Sequence, residues 1–265
     1  MFIFPLFFCT GFIQTQQSVL KVNIPTFEDE FTYVWQSINE IKFFESHGYS
    51  VNFPKSDIVV GMLEKARKNS LSETDFSNLK KNMLEIGFQK SDYFAGYNNI
   101  LKSLPQIEEA ISVLCKSRFN WDFKLCKNYN ITLTLYGPGG YYNPETGSIV
   151  IYVATDGTFR GNSNSAHILI HDIIHMGIEN SIVKLYKLTR IQKERIVDLF
   201  ISIYFRDLFP DYQMQNLDNN GIDDYLKCKE DFVNLNEIIG LYLRAPKQHS
   251  RDNNSLSIPK NTSSL

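Results

Sequence analysis

The sequence has no surplus of charge of either sign. Its 27 Lys and Arg stand against 29 Asp and Glu, a formal net charge of −2 over 265 residues. A basic field for phosphate backbones is therefore missing, and nucleic acid is not an expected partner. Long apolar runs are missing too. No stretch reaches the roughly 20 residues that a membrane-spanning helix needs. Cysteine is scarce, with 4 in the chain. Beyond Cys9, the remaining Cys115, Cys126 and Cys228 match no zinc spacing, and a 115–126 disulfide loop would require an exported chain. No internal repeat is visible. What is present is a 43% hydrophobic, 21% charged composition with 14 Tyr and 20 Phe. That composition excludes a disordered, collagenous or coiled-coil chain and fits a well-filled globular core.

The chain divides into four stretches. Residues 1–18 open with Met1 to Ile13, an apolar run too short to span a bilayer, followed by Gln14-Thr15-Gln16-Gln17. This reads as an export signal that lacks the usual basic start, and it places the protein in the periplasm, at the cell surface or in the medium. A buried N-terminal strand or helix is the alternative. Leu6 stands three residues before Cys9 as in a lipoprotein cleavage motif, but Phe8 is too large for the position before the cysteine.

Residues 19–128 form a helical N-terminal region, with helices opening near Phe27, Asp57 and Ser72, and another segment following Leu104-Pro105-Gln106 as far as Leu114. His47 stands alone there and reads as a surface residue. In residues 129–244 the periodicity changes. Ile131–Leu135 and Ser148–Val153 alternate as strands, expected to run antiparallel, around a Gly137-Pro138-Gly139-Gly140 loop and an Asn143-Pro144-Glu145-Thr146-Gly147 turn. The glycine loop lacks the Lys-Ser/Thr ending of a phosphate loop, so it reads as a hairpin connection. Residues 245–265 are polar and read as a disordered tail.

One constellation carries chemistry. On a helix turning about 100° per residue, Ala166, Leu169, Ile170, Ile173, Ile174, Met176 and Ile178 fall on one arc. His167, His171, Asp172, His175 and Glu179 fall on the opposite arc, and three of the chain's 5 histidines are among them. His171 and His175 are one turn apart, so both imidazoles can reach one point above the helix. A third ligand has to come from elsewhere. Thr189, with Gln192 three residues on, has the pattern of a capping box that starts a second helix, apolar until Phe209-Pro210. Glu194 shares a stripe of that helix with Ile201 and Phe205. A carboxylate among apolar residues needs a cation or hydrogen-bond donors.

This pattern resembles the gluzincin branch of zinc metallopeptidases, in which two histidines of an HExxH helix and a glutamate of a later helix hold one zinc ion. Here the motif stands as His171-Asp172-Ile173-Ile174-His175, and Glu194 follows nineteen residues after His175. By this resemblance His171, His175 and Glu194 would be the zinc ligands. Asp198, four residues past Glu194, would steady a ligand histidine as the matching aspartate does in thermolysin-like members. The resemblance spans about residues 131–208. It implies an α+β fold, with a small sheet, an active-site helix and a glutamate helix forming a zincin-like domain behind the helical N-terminal region. The Ser148–Val153 strand would be the sheet edge lining the cleft, and peptides or proteins would be the substrates.

The departure from the family is Asp172 in place of the general-base glutamate. In the zincin mechanism that carboxylate takes a proton from zinc-bound water and passes it to the leaving amine. Aspartate is one methylene shorter, a deficit on the order of 1.5 Å. A misplacement of about 1 Å can cost about 10²-fold in rate. The expectation is a zinc metallopeptidase with a shortened base, or a zincin-fold binding protein that has lost the reaction. Glu179 reads as a solvated acid, with partial compensation as the alternative, and Tyr204, Arg206, Tyr212 and Tyr225 lie where related enzymes place an oxyanion stabiliser. The His171-Asp172 doublet also fits HD-type metal phosphohydrolases, but these need a further upstream histidine, and none occurs between His47 and His167. His167 reads as a packing or surface residue. An alternative role for Asp198 is pairing with Arg195 or Arg206.

Overall fold

A computed structural model describes residues 18–160, 163–217 and 221–245. All of the proposed export signal but Ser18, and all of the polar tail but Ala245, lie outside these residues. The architecture is α+β, with nine α-helices and one four-stranded sheet among the described residues.

The sheet consists of β1 (Val19–Asn23), β2 (Asn128–Thr134), β3 (Gly140–Asn143) and β4 (Ser148–Tyr152), in the order β1-β2-β4-β3. Three expectations are corrected here. The stretch from residue 19 to 128 is not helical throughout, because Val19–Asn23 is a strand that pairs in parallel with β2. The two strands read from the alternating pattern are parallel, with Ile131 opposite Ile149. The reason is the chain between them. It carries β3, which turns through Asn143–Gly147 and pairs antiparallel with β4, so β4 inserts between β2 and β3. The edges are therefore β1 and β3, and the Ser148–Tyr152 strand, expected at the edge, lies inside the sheet.

Tyr129, Ile131 and Leu133 of β2 and Ile149 and Ile151 of β4 are buried at every second position, as a pleated strand requires. They pack against the long helix α5 (Phe94–Lys116) and the histidine-bearing α6 (Ser165–Ile178). The helix α5 runs unbroken through Pro105 instead of starting after it. The chain then leaves α6 as a π turn, Glu179–Lys184, and enters α7 (Arg190–Leu199), followed by a second π turn at Phe200–Tyr204. Two short helices, α8 (Lys229–Val233) and α9 (Leu235–Arg244), close this part.

The N-terminal helices α1 (Phe27–Asn39), α2 (Ile41–Ser46), α3 (Asp57–Arg67) and α4 (Glu73–Ile86) gather around their own apolar cluster of Phe31, Val34, Ile38, Val59, Met62 and Leu79. The helices α1 and α4 begin with full capping boxes, Thr26 with Asp29 and Ser72 with Asp75. Buried Glu30 of α1 joins this cluster to the sheet. Its carboxylate accepts from Tyr93 Oη (2.6 Å), Thr134 Oγ1 (2.7 Å) and the Leu135 amide (2.8 Å). A second joint forms where Asn52 pairs with Gly137 and the Arg160 guanidinium reaches the carbonyls of Ser50 and Gly137. Gly137 sits at φ +90° with the Tyr33 ring where a Cβ would stand. The glycine loop thus serves close backbone packing in the β2–β3 connection.

Among the described residues, no helix is long and apolar enough to cross a membrane. Cys115 and Cys126 are free thiols, so no disulfide joins them.

Candidate metal centre

The helix α6 starts at Asn164, whose Oδ1 accepts the Ala166 amide at 2.8 Å. The whole expected apolar arc, Ala166 to Ile178, is buried. The opposite arc is not solvated either, because α7 and the segment after it cover it. That burial turns two imidazoles and a carboxylate inward.

His171 Nε2 and His175 Nε2 lie 2.9 Å apart, and Glu194 Oε2 lies 3.2 Å from each. The two rings are nearly perpendicular, at 77°. Glu194 is delivered by α7, which opens on the expected capping box: the Thr189 amide donates to Gln192 Oε1 (2.8 Å) and the Gln192 amide to Thr189 Oγ1 (3.3 Å). Among the described residues, these three are the group of histidine, cysteine and acidic side chains that could hold a metal ion.

The electrostatics follow from burial. Burial, with His171 beside it, pushes the His175 imidazole down to about 4, so its ring is neutral at pH 7 and has a lone pair to offer. Burial works against ionised Glu194, but the hydrogen bonds from His171 and His175 outweigh it and hold the carboxyl well below its usual range. Burial also opposes a charged His171, and Glu194 more than offsets this, so its pKa is raised. Burial lifts Asp172 to about 7.

The donor set suits zinc. Four tetrahedral ligands at about 2.0–2.1 Å from an ion stand roughly 3.3 Å from one another. The three edges seen here, 2.9, 3.2 and 3.2 Å, need only a slight opening. Two borderline imidazoles and one hard carboxylate supply three ligands, a mixture zinc accepts, leaving a fourth position.

The neighbours of the triad are only partly those anticipated. Asp198 is fully buried, yet its Oδ1 is 3.7 Å from His171 Nδ1, too far for a direct hydrogen bond. Tyr212 stands between them, its hydroxyl donating to Asp198 Oδ1 (2.7 Å) and lying 2.9 Å from His171 Nδ1. Neither arginine pairs with Asp198: Arg195 forms its ion pair with Asp223, and Arg206 reaches the Ser202 carbonyl. Gln215, with no signal in the sequence, donates from Nε2 to Glu194 Oε2 at 3.1 Å and from its amide to Asp198 Oδ2 at 2.8 Å.

On the other side, Tyr142 of the edge strand β3 stacks on the His175 ring, with centroids 5.2 Å apart and planes at 11°. Lys193 Nζ donates to the Tyr142 hydroxyl at 2.9 Å, and Glu179 Oε2 lies 3.5 Å from it. Asp172 is buried, and its Oδ2 has no hydrogen-bond partner; His175 Nδ1 has none either. His167 is no ligand: its ring meets Phe209 and Tyr212 edge-on. Of the other candidate oxyanion stabilisers, Tyr204 bonds Ser117 and packs on Phe200, and Tyr225 packs on Tyr242. His47, the C-cap of α2, packs its ring at a tilt on Phe43.

No family model, no curated protein and no solved structure matches this chain.

Proposed function

We propose that this protein is a zinc-dependent hydrolase of the zincin type that cleaves peptide bonds, with His171, His175 and Glu194 as the ligands. The observation that carries this reading is the convergence of three ligand atoms from two helices, each within 3.2 Å of the other two. When bound, zinc supplies Lewis acidity and brings the pKa of a coordinated water to about 7.

The chain's own residues do the rest. Asp172, whose buried Oδ2 has no hydrogen-bond partner inside the protein, accepts a proton at its carboxylate and returns it to the leaving amine. A buried oxygen without a partner is costly, and a catalytic role is one reason for a fold to keep it. The stacked Tyr142 ring holds the His175 plane, and Lys193 places a positive charge at the same wall of the site. The alternative as an HD-type phosphohydrolase is disfavoured because the convergent group takes in Glu194 and leaves out Asp172, half of the doublet that defines such sites. A second reading, a zincin-scaffold binding protein without turnover, draws on the short side chain at position 172. We place either protein outside the cytoplasm on the strength of Met1–Ile13.

Elemental analysis beside peptide hydrolysis tests the proposal. The expected result is one zinc per chain in the wild type and none in His175→Ala, with hydrolysis of a mixed peptide library lost on chelation. Asp172→Asn should keep the zinc and lose the hydrolysis, whereas Asp172→Glu should gain rate. Zinc retention without hydrolysis in either the wild type or Asp172→Glu selects the binding protein. A wild type without zinc, indifferent to chelators, overturns the metal site.

A further inference from the structure

We propose that Tyr212 and Gln215 are positioning residues that set the metal affinity of the site, acting as a clamp on two of its three ligands. This deepens the zinc-site reading and rests on it.

The argument begins at Asp198. A carboxylate with no solvent contact has to be satisfied inside the protein. Both of its oxygens are, and by the same short segment: Oδ1 takes the Tyr212 hydroxyl proton and Oδ2 the Gln215 amide proton. A phenol has one proton to give. With that O–H directed at Asp198, the Tyr212 oxygen faces His171 Nδ1, 2.9 Å away, as an acceptor. The imidazole then carries a proton on Nδ1, which leaves Nε2, the atom facing Glu194 and His175, to give its lone pair to a metal ion. The aspartate's influence on the ligand thus arrives through a tyrosine. The His167 ring, edge-on to Tyr212 at 5.4 Å between centroids, helps hold that tyrosine in place.

The same segment reaches the third ligand. Gln215 Nε2 donates to Glu194 Oε2, the oxygen closest to both histidines. An ionised carboxylate oxygen has more than one lone pair. One engaged by Gln215 fixes the rotation of the carboxylate and leaves another for the ion. Asp198 is the anchor, Tyr212 turns His171 and Gln215 turns Glu194. In other metal sites, removing a partner of this kind weakens binding by about 10–100-fold.

Zinc affinity of the full chain, measured by competition with a chromophoric chelator, tests the inference. The expected result is a loss of about 10–100-fold in Tyr212→Phe, and a smaller loss in Gln215→Met. Gln215 is exposed, so that second variant leaves the core untouched. Asp198→Asn combined with Tyr212→Phe should weaken binding no further than the stronger single change, because both break one relay. Proton–nitrogen NMR of the zinc-loaded imidazoles supplies a signature that mere destabilisation would not move: the His171 Nδ1 proton, held by the Tyr212 oxygen, exchanges slowly in the wild type and rapidly in Tyr212→Phe. Wild-type affinity in both single variants, or effects of Asp198→Asn and Tyr212→Phe that add in full, would overturn the clamp while leaving the zinc site standing. A wild type that binds no zinc removes the site and the clamp together.

Discussion

Gly177 sits two residues past His175, and a Cβ built on it would lie 2.2 Å from the Phe123 ring. Phe123 is held in an aromatic group with Phe119, Trp121 and Phe200, so it has little room to yield. Gly177→Ala should cost about 2 kcal/mol by overpacking, read as a lower urea midpoint with an unchanged slope. Phe123→Leu in the same chain should recover part of that loss, and the double-mutant cycle measures the contact. At this scale the sequence is legible where a helical period constrains it. His171, His175 and Glu194 meet because they occupy fixed angles on two helices whose apolar faces are plain. Tyr212 and Gln215 belong to a connecting segment, where no period says which way a side chain points. Tyr142 escaped notice because strand alternation tells inside from outside and not which helix lies across from a strand.

Element starts were legible wherever a local hydrogen-bond code marks them. The caps at Ser72 and Thr189 are side-chain-to-backbone bonds closed within four residues, so the sequence contains the whole interaction. Thr189→Ala should destabilise the protein by about 1 kcal/mol, seen as a drop of a few degrees in the melting temperature. Strand direction is a different matter. Whether β2 and β4 run parallel depends on where β3 inserts, and alternation reads the same in either direction. Pro105 misleads for a related reason. A proline usually marks a helix boundary, yet packing of Ile100, Ile107, Ala110 and Ile111 into the main core carries α5 across it.

Across the whole molecule, two apolar clusters share one buried carboxylate. Glu30 belongs to α1, and its three donors belong to the sheet side. Nothing local in the sequence announces this, since Glu30 sits beside Glu28 and Asp29 in what reads as an acidic first turn. Burial raises its pKa despite the donors that pull it down. Glu30→Ala takes the acceptor from Tyr93 Oη, Thr134 Oγ1 and the Leu135 amide, and should cost about 3 kcal/mol. The 2 tryptophans make the consequence measurable, because Trp35 packs on the N-terminal cluster and Trp121 on the main one. Denaturation followed through each tryptophan alone, with the other changed to Phe, should give coincident transitions in the parent and separated ones in Glu30→Ala.

The pairing of β1 with β2 sets a schedule for making the molecule. Val19 lies beside Asn128, so a nascent chain must emit five helices before its first strand meets a partner. Closing so long a loop is entropically costly and slows the search. The helices can assemble at the ribosome exit while β1 waits unpaired. Since α6 packs on the sheet that β1 completes, the histidines are among the last parts of this chain to find their places.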